Sequence, residues 1–105
     1  MSKYIITYIG GNKPATEEEG KQHMADYQTW LGALGEAAVS PMNPFRNTHT
    51  LGPGGEIEQG SKTSMSGYTV VEAESIDDAI ALAKDCPFLN VGGSLEVSEL
   101  VQMPS

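Results

Sequence analysis

Two histidines, one cysteine and four tyrosines are the side chains of this 105-residue chain whose chemistry suits proton transfer or nucleophilic attack. His23 stands first among them, because an imidazole changes charge near neutrality and is the commonest general acid or base. Stepping by about 100° per residue through KQHMADYQTWLGALGEA places it inside an apolar arc of Met24, Tyr27, Trp30, Leu31, Leu34 and Ala38, between Trp30 and Leu34. A histidine aimed from a helix into a sheet addresses whatever a pocket there holds. The plain alternative is a hydrogen-bonded core histidine, or one packed on Trp30. Asp26 lies three residues on and within reach on the same helix, although such pairs are usually surface decoration. Asp85 is the second catalytic candidate, able to orient His23 or accept a substrate proton; otherwise it is a solvated carboxylate at a helix end. Tyr27, Trp30 and Tyr68 are the candidate substrate-binding residues. Phenols such as those of Tyr4, Tyr8 and Tyr68 offer donors to a pocket or pack in an interface.

The other reactive types are less promising. Cys86 has Lys84 as its one nearby basic residue, and nothing marks it as a low-pKa nucleophile. His49 sits in a polar stretch without a partner pattern. No close spacing of the H-x-x-x-H kind supports a metal site, so neither metal nor cofactor is expected. GPGG at 52 to 55 lacks the Lys-Ser/Thr and the strand-to-helix setting of a phosphate loop, and reads as a turn. Glu99 interrupts the alternation of Leu95, Val97, Val101 and Met103, which suits a sheet edge better than an interior.

The elements that must position these groups carry clear boundary signals. Lys3 to Ile9 is apolar on both sides of its alternation, as in a central strand covered on both faces. Thr16 and Glu19 form a capping box for a helix over about Glu17 to Ala38. Val39 to Ser66 is broken by Pro41, Pro44 and Pro53; within it Asn47 to Leu51 and Glu56 to Gln59 are spaced to pair as a hairpin, whose polar composition suits a sheet edge or a protruding arm. Tyr68 to Ala73 is a strand, and Ser75 with Asp78 caps a short helix with Ile76, Ala79, Ile80 and Ala83 on its apolar face. Pro87 stops that helix, Gly92-Gly93 turns the chain, and Ser94 to Val101 forms the last strand.

This order, β-α-(irregular β)-β-α-β, predicts an α+β ferredoxin-like sandwich of one domain with both helices on one face of an antiparallel sheet. Side chains alternate along a strand, so Ile5, Thr7 and Ile9 oppose Tyr4, Ile6 and Tyr8, and Tyr68 and Val70 oppose Thr69, Val71 and Ala73. Neither set is polar enough for water, which predicts a homodimer with the sheets face to face. A net charge of −8 argues against nucleic acid and against an anionic membrane surface. One cysteine excludes an intrachain disulfide. With no signal-like or spanning apolar run, the expected setting is the cytoplasm.

Taken together, YIITYIGG, KQHMADYQTWLGALGEA, GYTVVEAESIDDAIALAKDCPF and GGSLEVSELVQM resemble the YCII-related family, including the former DGPF-domain group. The resemblance implies a dimeric α/β barrel and an active-site pair, a histidine on the first helix and an aspartate in a D-P-F-like motif after the second. His23 matches that histidine. Asp85 is the nearest match to the aspartate, with Cys86 intervening before Pro87 and Phe88; the DGPF motif itself is absent. Two functions follow. In the first, His23 and Asp85 perform lyase- or isomerase-type acid–base chemistry on a small molecule. In the second, the chain is a non-catalytic dimeric binding or interaction module, linked to transcription through a sigma factor. A deep cavity reaching His23 favours the first reading; a filled interior with an exposed apolar patch favours the second.

Overall fold

A computed structural model describes residues 1–12 and 14–102. In chain order the elements are β1 (Ser2–Gly10), α1 (Glu17–Leu34), β2 (Ala38–Pro44), β3 (His49–Leu51), β4 (Ile57–Gln59), β5 (Met65–Ala73), α2 (Ile76–Ala83) and β6 (Gly93–Glu99). Four strands form one sheet in the order β2-β5-β1-β6, with every neighbouring pair antiparallel. Each strand–helix–strand half therefore leaves a gap between its strands that a strand of the other half fills. This is the α+β, ferredoxin-like arrangement, with β1 central as its two-sided apolar pattern requires. β3 and β4 pair apart from this sheet as the hairpin expected around GPGG, Leu51 opposite Ile57.

Both helices begin at the caps read from the sequence. The Thr16 hydroxyl accepts the Glu19 N–H at 3.1 Å, and the Glu19 carboxylate turns back to accept from the Ala15 N–H at 2.8 Å. Ser75 accepts the Asp78 N–H at 3.1 Å. Each cap satisfies a donor that the helix itself leaves free. α1 ends at Leu34 rather than Ala38, because Gly35 takes a positive φ of 55° that ends the helical path at low steric cost. A short 3-10 turn, Gly35–Ala37, leads into β2. The buried stripe of α1 narrows accordingly to Tyr27, Trp30 and Leu34, and Met24, expected inside, is 46% exposed.

β2 was not anticipated, because Pro41 and Pro44 read as breakers. It is an edge strand whose register shifts between Ala38 and Ser40 and again between Ser40 and Asn43, so Pro41 falls where the ladder is interrupted, and Pro44, opposite Gly67, is the last residue of the strand. The Thr69 hydroxyl donates to the Pro41 carbonyl at 2.7 Å and fastens β2 to β5. α2 buries only two of its three alanines, Ala79 and Ala83, while Ile76 and Ile80 stand at its margins. The chain after it forms a 3-10 turn, Pro87–Val91, and Gly92 at φ 78° redirects it into β6. β6 ends at Glu99, short of the expected Val101, and Met103 lies outside the described residues.

The core lies between the helices and one face of the sheet. Tyr4, Ile6 and Tyr8 of β1 meet Val71 and Ala73 of β5, with Leu95 and Val97 of β6 packed against them. Ile6, Thr69 and Val71 are wholly buried, each aliphatic one contributing about 2 kcal/mol relative to exposure. On the opposite face, Ile5, Ile9, Tyr68 and Val70 are half-buried, and Ser94, Glu96 and Ser98 of β6 line its edge.

Candidate functional site

Glu19, Gln22, His23 and Asp26 recur at i, i+3, i+4 and i+7 and so share one face of α1. That face forms one wall of a cleft of about 380 Å³. Asn12 and Pro14 of the loop after β1, and Pro87, Asn90 and Val91 of the 3-10 turn, form the other sides. The Asn12 N–H donates to the Val91 carbonyl at 2.7 Å and ties those two walls together.

His23 is half-buried in this cleft. Its ring meets Tyr27 edge-on, centroids 4.8 Å apart and planes at 87°. It therefore leans on the residue one helical turn ahead, not between Trp30 and Leu34. Asp26 is exposed at the cleft mouth, where its Oδ1 accepts from Gln22 Nε2 at 2.9 Å. Glu19, Gln22, Asn12 and Asn90 join the cleft without having been candidates from sequence. The polar repeat on α1 was the available signal for the first two, whereas the asparagines arrive through loop packing.

Asp85 lines a second cleft of about 630 Å³, between the C-terminal half of α1 and the end of α2. The two clefts meet at Asp26, Pro87 and Asn90. Among the described residues no hydrogen bond joins His23 to Asp85; the salt bridge present there is Lys62–Glu58, on the hairpin side. The cause is local: Cys86 and Pro87 turn inward, with Cys86 only 1% exposed, and this leaves Asp85 on the outside of the bend.

Tyr27 and Trp30 stand behind the clefts as buried walls. The Trp30 Nε1–H donates to the Leu82 carbonyl at 3.0 Å and pins α1 to the end of α2. The Cys86 thiol donates to the Tyr27 hydroxyl at 3.9 Å, Tyr27 meets Tyr8 edge-on at 6.0 Å, and the Tyr8 and Thr69 hydroxyls hydrogen-bond to each other. Burial pushes Tyr8, Tyr27 and Cys86 all above their ordinary values; for Tyr27 the neighbouring Cys86 and Tyr8 add to the rise. Cys86 is thus held as a thiol, unsuited to nucleophilic attack.

Tyr68 is not brought to this site. It lies on the opposite face of the sheet, its ring 5.8 Å from that of Phe45. His49 is exposed on the hairpin, its Nδ1 2.9 Å from the Asn47 carbonyl, and Glu99 is exposed at the end of an edge strand. GPGG is a turn, closed by the Gly52 N–H on the Glu56 carbonyl at 2.7 Å. Among the described residues no group of three or more His, Cys, Asp or Glu is placed to hold a metal ion, and no helix is long and apolar enough to cross a membrane.

Comparison with known proteins bears on the fold and the lineage. The YCII-related domain profile matches residues 3–104. Among solved structures, the 5-chloro-2-hydroxyhydroquinone dehydrochlorinase of Burkholderia phenoliruptrix, in complex with 2,5-dihydroxybenzoquinone, superposes with a TM-score of 0.57 at 20% identity. The match covers 96% of this chain and 95% of that one. No curated protein matches the sequence.

Proposed function

The chain belongs to the YCII-related family, and on that premise we propose that it is a small-molecule enzyme in which His23 moves a proton as general base and acid. The observation that carries this reading is the setting of His23: half-buried, braced by Tyr27, and opening into a cleft whose volume suits a small ligand. Elimination and isomerisation need a positioned base, which this site provides without an activated nucleophile. A dehydrochlorinase with the same fold supports the choice of elimination. The His23–Asp85 pair implied by the family resemblance then forms through a ligand spanning both clefts, because the two side chains line different ones.

The test compares wild type with H23N and H23A on a panel of chlorinated and hydroxylated quinols and enolisable ketones, amino ketones among them. Chloride release and deuterium exchange at carbon are followed. Turnover by the wild type that falls at least about 100-fold in H23N supports the proposal, provided near-ultraviolet circular dichroism shows the fold intact. Equal turnover in H23N, or unfolding of both variants, overturns it. In the same assay D85N loses rate if the ligand-bridged pair is correct, whereas a loss confined to D26N transfers the partnership to Asp26.

A second copy completes the architecture in this reading. Ile5, Ile9, Tyr68 and Val70 leave the far side of the sheet apolar but only half-covered, and a twofold partner closes such a face in the simplest way. The dimeric barrel follows from two sheets packed through these faces. A monomer mass by light scattering at micromolar concentration would refute it.

A further inference from the structure

The cleft beside Asp85 differs in kind from the one beside His23. Its floor is apolar, made by Trp30, Leu34 and Leu82, of which Trp30 and Leu34 are 5% and 7% exposed. Its rim is polar, with Asp26, Thr29, Asp85 and Asn90. Two donors at this rim and floor are already used inside the protein: the Thr29 hydroxyl donates to the Ala25 carbonyl at 3.1 Å, and the Trp30 indole N–H to Leu82. What remains for a ligand is chiefly acceptors, namely two carboxylates and the Thr29 oxygen lone pairs, with only the Asn90 amide able to donate. No lysine or arginine is among the described residues lining this cleft, and Lys84 faces the other side of α2 beside Leu95 and Val97.

From this we propose that the cleft is a binding subsite for the body of an amine: an apolar or aromatic frame over Trp30, with its ammonium held by Asp26 and Asp85. The inference rests on reading the adjoining His23 cleft as the reactive centre. Asp26 and Asn90 line both clefts, so one molecule reaches from the amine subsite to the imidazole. A carboxylate or phosphate in place of the ammonium meets two negative charges and a shortage of donors, and is rejected.

Three probes of matched frame separate the possibilities: tyramine, which is cationic, tyrosol, which is neutral, and 4-hydroxyphenylacetate, which is anionic. Each is titrated into the full chain at millimolar concentrations while the Trp30 indole and the Asp26, Asp85 and Asn90 amides are followed by nitrogen–proton correlation NMR. Tyramine is expected to shift these signals and to bind about fivefold more tightly than the anion, the factor one partly exposed charge contact supplies. D85N, altered at an exposed position, is expected to weaken tyramine by about fivefold and leave tyrosol unchanged. Equal or tighter binding of 4-hydroxyphenylacetate overturns the proposal, and so does an absence of shifts with all three probes. Either failure, with turnover still lost in H23N, removes the amine subsite and keeps the histidine reading. Tyramine binding alongside turnover indifferent to His23 does the reverse.

Discussion

On the side of the sheet that meets the helices, Ile6, Thr69 and Val71 are 0% exposed, whereas on the other side their chain neighbours Ile5, Tyr68 and Val70 are only half-buried. Both sets come from the same two strands, β1 and β5, and their residue types are comparably apolar. What differs is the cover. α1 and α2 seal one face with Tyr27, Trp30, Leu34 and two alanines, whereas on the other face of β1 and β5 Thr7 alone is buried among the described residues. Composition therefore prepares both faces for burial, and topology delivers only one of them within a single copy.

The difference is testable most sharply by truncation. Ile6→Ala removes a fully packed side chain and should cost about 3 kcal/mol of unfolding free energy. Ile5→Ala should cost about 1 kcal/mol in urea unfolding at concentrations low enough to separate copies. Equal losses under those conditions would mean that the far face is closed by the chain itself. A charge placed on that face probes the next level: if the proposed twofold partner closes it, V70D should leave a folded protein that sediments as a monomer where the wild type sediments as a dimer. Retention of a dimer would place the interface elsewhere.

The smallest effect concerns the sealed face alone. Burial raises Cys86, Tyr8 and Tyr27 above their ordinary values of 9.0 for the thiol and 10.0 for the phenols. The folded state then holds these protons more firmly than the unfolded chain does. The corresponding stability is complete below about pH 9 and falls as pH rises beyond it, first through Cys86 and then through the tyrosines. Melting temperature against pH should turn downward there, and C86A should move the onset upward. A curve that stays level through alkaline pH would show the seal to be leaky.

Much of the scaffold was legible before any coordinates. The two-sided alternation of Lys3 to Ile9 placed β1 at the centre, and Ser75 with Asp78 marked the start of α2. Pro87 and Gly92 marked where the chain turned back. β2 was hidden because its prolines are tolerated only through irregular pairing with β5, which no local pattern announces. The site was legible in part. His23 was identifiable by type and by its place on α1, but the direction of its ring was not, since Tyr27 rather than Trp30 took its edge. Asp85 resembled a partner in linear order; the inward turn of Cys86 set it in the neighbouring cleft.

The amino-acid order alone settled the caps, the turns, the strand alternation and the presence of one well-placed imidazole, because each depends on residues a few positions apart. The folded chain decided which groups share a cleft with that imidazole. Asn12, Asp26 and Asn90 meet only after three separate segments have packed, and their meeting depends on how closely α1 settles against the turn at Pro87. Such contacts are set by the summed packing of a core, and no short stretch of sequence contains them.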